Sequence, residues 1–205
     1  MMKKLIEIVV IILEVYSLMK CAGVFDGKYN VGFLGWYTNL SNIMVLIYFI
    51  CQLFGVKCST FVSLSVTLAI TMTFLIYHFL LHPEAKKAYK EGTLGWSIYS
   101  VNNLSLHYFC PILTIIYWLV FIDKTDLRYF HGIAWLIIPA LYILYTHIRV
   151  EFNIIIDAES KEVYPYPFMN VRDFGLKRVT INILVLMMFF IVLGLLFVQI
   201  GVWIR

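Results

Sequence analysis

Charge is scarce in this chain. Only 14% of its 205 residues are Asp, Glu, Lys or Arg, and 62% are hydrophobic. A soluble domain carries about 25% charged residues, so an ordinary water-soluble fold is excluded and an integral membrane protein is expected. Cysteine is also sparse. Cys21, Cys51, Cys58 and Cys110 lie in or beside apolar runs, without metal-ligand spacing or a disulfide framework, and read as small packing residues. The net charge of +4 suits a membrane surface. No basic patch interleaved with aromatics argues for nucleic acid, and no cofactor or metal is expected.

What is present is apolar chain in long runs. Six candidate spans fall at residues 5–21, 33–53, 61–81, 98–122, 133–147 and 179–204, most of them near the roughly 20 residues that cross a bilayer. The first resembles a signal peptide, with Lys3 and Lys4 ahead of an apolar stretch. Glu14 interrupts it, however, and Lys20 precedes Cys21 where small residues are wanted, so it reads as a retained helix. The expectation is an all-α bundle of six transmembrane helices, one domain over residues 1–205. Both termini then share one side, and the longer connections gather on the other. Lys and Arg are more numerous on that loop face, whereas Lys3 and Lys4 flank the first helix. The two criteria of the positive-inside rule point opposite ways, and homo-oligomerisation stays open.

Ionisable side chains inside spans are rare and usually functional. Of the five histidines only His107 lies well inside an apolar run, with Asn103 one turn before it and Pro111 one turn after. Proline lacks the N–H that would bond back one turn, so His107 can be a core histidine donating to a freed carbonyl. It can equally be a general base, since burial keeps an imidazole neutral and able to accept a proton. Glu14 is the other deep ionisable residue, with Glu7 two turns away on the same face. It can pair with His107, orient it, carry a proton, or bond a Ser or Thr nearby.

Thr38, Ser41 and Asn42 share one helix face by their i, i+3, i+4 spacing. Such groups serve as helix–helix glue or as a site. Ser63, Thr67 and Thr71 recur every fourth residue and read as close helix packing. His78 and His82, with Glu84 nearby, have a spacing that suits a metal, but a helix end beside Pro83 is an ordinary place for them. Tyr164-Pro165-Tyr166-Pro167-Phe168 cannot be regular helix and is expected to be extended, either as part of an interfacial aromatic belt or as a lid over a lipid-facing cleft. Leu34-Gly35-Trp36 and Asn39-Leu40-Ser41 echo in Leu94-Gly95-Trp96 and Asn103-Leu104-Ser105, a weak sign of duplication. Counted from Trp36 and Trp96, Thr38 and His107 differ in depth by roughly 13 Å at about 1.5 Å per residue. Tilt, or a second helix starting near Asn30, would close that gap.

Taken in order, Tyr37-Thr38 early on one helix, His107 shortly before Pro111 on a later one, and Tyr166-Pro167-Phe168 before the last span resemble the androgen-induced and androgen-dependent TFPI-regulating membrane proteins. Those are multi-span hydrolases of fatty acid esters of hydroxy fatty acids. The doubled Tyr-Pro element is more similar to their bacterial six-helix relatives, which implies a bacterial cell membrane. The resemblance implies a threonine nucleophile at Thr38, a histidine base at His107 and a lipid substrate within the bilayer. Asn42 or Asn103 is then the candidate oxyanion donor and Glu14 the candidate third member, with Ser41, Tyr164, Tyr166, Pro167 and Phe168 in support. A small transporter or lipid-binding protein, with the same polar face lining a cavity, is the alternative; a structural subunit is the third option.

Overall fold

The computed structural model describes residues 1–92, 97–157 and 161–205, and every regular element among them is helical. In chain order the long helices are α1 (Met2–Cys21), α2 (Tyr37–Leu53), α3 (Thr60–Lys90), α4 (Val101–Phe121), α5 (His131–Glu151) and α6 (Val171–Trp203), the last broken near its start at Gly175, where φ is 74°. Four of them, α3 to α6, are long and apolar enough to cross a membrane. The six-span expectation falls short at the first two helices. Lys3, Lys4, Glu7, Glu14 and Lys20 load α1 with charge, and α2 has only 17 residues, about 26 Å of rise against a hydrocarbon core of about 30 Å. Nor does α2 start near Asn30: Phe33–Gly35 is a separate 3-10 turn ahead of it. Leu94, Gly95 and Trp96, the second copy of the echo, lie outside the described residues.

The chain forms two compact units, Met1–Asn30 with Tyr37–Asp123, and Val31–Trp36 with Lys124–Arg205. In the first, α1 packs on α2, α2 on α3, α3 on α4 and α4 back on α1, closing a four-helix ring. Its core holds Val10, Val45, Tyr48, Phe49, Ile70, Cys110 and Tyr117. The helix α1 is inside out relative to a soluble helix. Glu7, Glu14 and Ser17 are buried, while Leu5 and Ile12 are about three-fifths exposed at 60% and 61%. Apolar groups outward and polar groups inward is the arrangement lipid selects, because polar groups must find partners inside the bundle. Tyr117 donates to Glu7 Oε1 at 2.6 Å. In the Ser63, Thr67, Thr71 stripe, Thr67 donates to Ser63 O at 2.8 Å and Thr71 to Thr67 O at 2.6 Å, while the Ser63 hydroxyl accepts from Tyr48 on α2 at 3.1 Å. With both threonine hydroxyls folded down onto their own helix, the stripe lets the helices approach closely.

Both α3 and α4 contain a π-turn, Tyr77–Leu81 and Ser105–Phe109. In each, a proline follows within two residues, Pro83 and Pro111. A proline supplies no N–H to the carbonyl one turn back and crowds it. One extra residue in the preceding turn relieves that crowding, and such bulges are frequent at functional sites.

In the second unit, α5 and α6 meet where Gly132 and Gly194 cross. A Cβ at Gly194 would collide with Gly132 O. Gly194→Ala is therefore expected to cost about 1–3 kcal/mol through overpacking, read as a lower unfolding midpoint in detergent; an unchanged midpoint would refute the close crossing. The Tyr-Pro element is extended at Tyr166 and then turns into a 3-10 helix at Pro167–Met169. Its tyrosines are buried rather than set out as a belt. The Tyr166 ring stacks on Phe168 at 5.4 Å and meets Trp36 edge-on at 5.8 Å. The buried Arg149 donates to Ile155 O at 3.1 Å and lies 5.7 Å from the Tyr145 ring centre.

Candidate functional site

The two π-turns pack side by side within the first unit. The Tyr77 ring stacks on His107, centroids 3.8 Å apart and planes 21° from parallel. His78 Nδ1 is 3.2 Å from the Tyr108 hydroxyl, and the His78 and His82 rings lie 6.3 Å apart, nearly parallel. Among the described residues, no three His, Cys, Asp or Glu side chains gather as metal ligands.

His107 has two polar neighbours. Its Nδ1 lies 3.0 Å from Asn103 O, and its Nε2 lies 3.4 Å from Thr38 Oγ1. A carbonyl oxygen only accepts, so a neutral ring must carry its proton on Nδ1 and donate it to Asn103. Nε2 is then the bare nitrogen, and the Thr38 hydroxyl is the donor facing it. The carbonyl that fixes the ring is thus that of Asn103, one turn before His107, rather than one freed at His107 by Pro111. Nor is the orienting group Glu14, whose carboxyl lies against the Cys110 thiol.

The contact is closer than the count from Trp36 and Trp96 suggested. Depth follows the helix starts: α4 begins at Val101 and α2 at Tyr37. Thr38 is then the second residue of its helix and His107 the seventh, an offset of roughly 7.5 Å that side-chain reach and helix tilt can span.

The neighbouring polar residues hold this pair in place. Ser41 donates to Thr38 O at 3.0 Å and lies 2.7 Å from Thr73 Oγ1, tying α2 to α3. Asn42 Nδ2 donates to Thr38 O at 2.6 Å and to Leu106 O at 3.3 Å, tying α2 to the π-turn of α4. Asn103 Nδ2 donates to the Tyr77 hydroxyl at 2.7 Å and to Ile98 O at 2.9 Å. The amide hydrogens of both asparagines are therefore committed to protein acceptors in this arrangement. Tyr164, Tyr166, Pro167 and Phe168 belong to the second unit, where Tyr166 packs on Trp36 and Phe168.

Tyr77 is the residue that sequence reasoning missed. It is 4% exposed, and its hydroxyl accepts from Asn103 while its ring covers one face of His107. The available signal was His82-Pro83, which, like Cys110-Pro111, marks a helix obliged to bulge. Tyr77→Phe keeps the ring stack but leaves the Asn103 amide short of an acceptor, for an expected loss of about 1–3 kcal/mol of stability. Tyr77→Leu also removes the stack, so His107 loses its wall. A ring-positioning role requires the His107 side-chain NMR resonances to shift in Tyr77→Leu and stay near the wild-type values in Tyr77→Phe. Equal shifts in both would reject it. Compared with family models, curated proteins and solved structures, the chain matches none of them.

Proposed function

We propose that the protein is a membrane-embedded hydrolase of lipid esters, with Thr38 as nucleophile and His107 as base, acting on fatty acid esters of hydroxy fatty acids or similar lipids. The observation that carries this reading is the bare Nε2 of His107 facing the Thr38 hydroxyl at 3.4 Å, with Nδ1 fixed on the Asn103 carbonyl. A hydroxyl nucleophile is weak until an adjacent base takes its proton, and an oriented base next to it meets that need. A distance at the long end of hydrogen bonding is common before substrate is bound. The resemblance to the androgen-induced and androgen-dependent TFPI-regulating proteins points to the same two residues and to multi-pass placement in a cell membrane. The inside-out pattern of α1 supports counting α1 and α2 with the four longer helices as a six-helix transmembrane domain.

In the proposed reaction Thr38 Oγ1 bonds to the ester carbonyl carbon and its proton moves to His107 Nε2. The C–O bond to the hydroxy fatty acid then breaks, and that oxygen leaves with the proton from His107. Water next attacks the acyl-threonine, giving its proton to Nε2. Collapse releases the fatty acid and returns the proton to Thr38. The purified protein in nanodiscs should release free fatty acid from a branched ester lipid, and a quenched reaction should carry the acyl mass on the peptide containing Thr38. Turnover without acylation at Thr38 would reject it as nucleophile.

The second reading, a small transporter or lipid-binding protein, rests on the buried polar interior between α1 and α4. No turnover on any ester, together with saturable binding or flux of a solute, would favour it.

A further inference from the structure

The first unit contains a second polar constellation, which shares only Asn42 with the surroundings of the Thr38–His107 pair. Glu14, Ser17, Asn42 and Ser105 are each completely buried, at 0% exposure. Each leaves oxygen short of hydrogen-bond partners: Ser17 Oγ, Asn42 Oδ1, Ser105 Oγ and both carboxylate oxygens of Glu14, beside which lies only the weakly donating Cys110 thiol. Buried polar atoms are nearly always satisfied, so five such oxygens on three helices call for an explanation.

Three contacts set these residues at neighbouring levels of the bundle. The Glu14 carboxyl lies against the Cys110 thiol. Seven residues further along α1, Cys21 Sγ lies 3.9 Å from Asn102 Nδ2. The two contacts pin α1 and α4 antiparallel at two levels. Ser17 falls between Glu14 and Cys21 on α1, and Ser105 falls between Asn102 and Cys110 on α4. Glu14, Ser17 and Cys21 follow i, i+3, i+7 spacing, which keeps them on one helix face. Asn42 reaches α4 from α2 through its bond to Leu106 O, one residue beyond Ser105.

The chemistry of this group is one-sided. All its unpartnered atoms are oxygens, and Ser17 and Ser105 supply its only hydroxyl hydrogens. Among the described residues no cationic side chain pairs with Glu14. A lone carboxylate at such depth is strongly unfavourable. Carboxylate, hydroxyl and amide oxygens are the ligands of hard cations. One carboxylate balances one positive charge, and a divalent ion would leave charge uncompensated in a low-dielectric core. We infer that Glu14, Ser17, Asn42 and Ser105 form an internal site for a single small monovalent cation, sodium by its hardness. This site stands independently of whether Thr38 attacks an ester.

The test uses the full chain in nanodiscs, with choline chloride replaced stepwise by sodium chloride at constant ionic strength. A ligand that binds only the folded state raises its stability with concentration. The unfolding temperature should rise and saturate with sodium, and rise less with potassium. Glu14→Gln should abolish the response. Ser17→Ala and Ser105→Ala, which keep the helix packing, should move half-saturation to at least severalfold higher sodium, and they keep the test open where Glu14→Gln does not fold. An unfolding temperature independent of sodium overturns the site. So does a sodium response that persists unchanged in both serine variants. A protonated-carboxyl infrared band that is lost in Glu14→Gln and indifferent to sodium also overturns it, because the proton then takes the place assigned to the cation.

Discussion

Thr38→Ala is expected to abolish ester hydrolysis while leaving the protein folded. The structure separates the two effects at this position. The Thr38 carbonyl, not its hydroxyl, receives Ser41 and Asn42, so both interhelical ties survive the substitution. The hydroxyl's contact is the long one to His107, and its loss should cost no more than about 1 kcal/mol of stability. Activity should fall by at least 10³-fold, about 4 kcal/mol of barrier at 1.36 kcal/mol per tenfold. Thr38→Ser keeps the oxygen and should retain measurable turnover. The decisive measurement is kcat on a branched ester lipid beside the unfolding midpoint for all three proteins. An alanine variant that turns over at the wild-type rate sinks the nucleophile assignment. A serine variant as dead as alanine, yet equally stable, would point to packing by the threonine methyl instead.

His107→Gln should lower kcat by about 10²–10⁴-fold, the usual contribution of general base catalysis. A stability loss is expected as well, because the bond to Asn103 O and the stack on Tyr77 both go. Activity must therefore be corrected for the folded fraction. The pH profile gives a readout that packing alone does not move. The base must be neutral, with its proton on Nδ1 and Nε2 free. Acidification protonates Nε2 and removes the acceptor, so kcat/KM should decline on the acid side with the slope of a single ionisation. In His107→Gln that limb should vanish from the residual activity. A limb that persists unchanged in the variant would assign the titration to another group.

The resemblance and the run pattern point to Thr38 and His107 without any geometry, because a threonine on a polar helix face and a histidine inside an apolar run are both visible in one dimension. What supports them was less legible. Asn42 and Asn103 read as oxyanion donors by residue type, but their amide hydrogens go to carbonyls and to the Tyr77 hydroxyl. Glu14 read as a partner for His107 by depth, but its carboxyl faces Cys110. Tyr77 did not stand out at all, since a tyrosine near a membrane face is ordinary. In each case a side chain's partner belongs to another helix, and sequence spacing reports only on its own helix.

By itself the sequence determined that this is an all-α membrane protein, and which of its few ionisable groups are placed where lipid tolerates them badly. Those properties follow from composition and from apolar run length, which act locally along the chain. The tertiary structure decided which groups meet. Four rather than six helices satisfy the demands of a span on length and polarity, and two helices bulge ahead of Pro83 and Pro111. A π-turn inserts one residue, which rotates everything beyond it by about 100° at 3.6 residues per turn. That rotation, together with the tilt and axial offset set by packing in the four-helix ring, brings His107 against Thr38 and Tyr77 while Glu14 faces Cys110. No periodicity in the sequence encodes it.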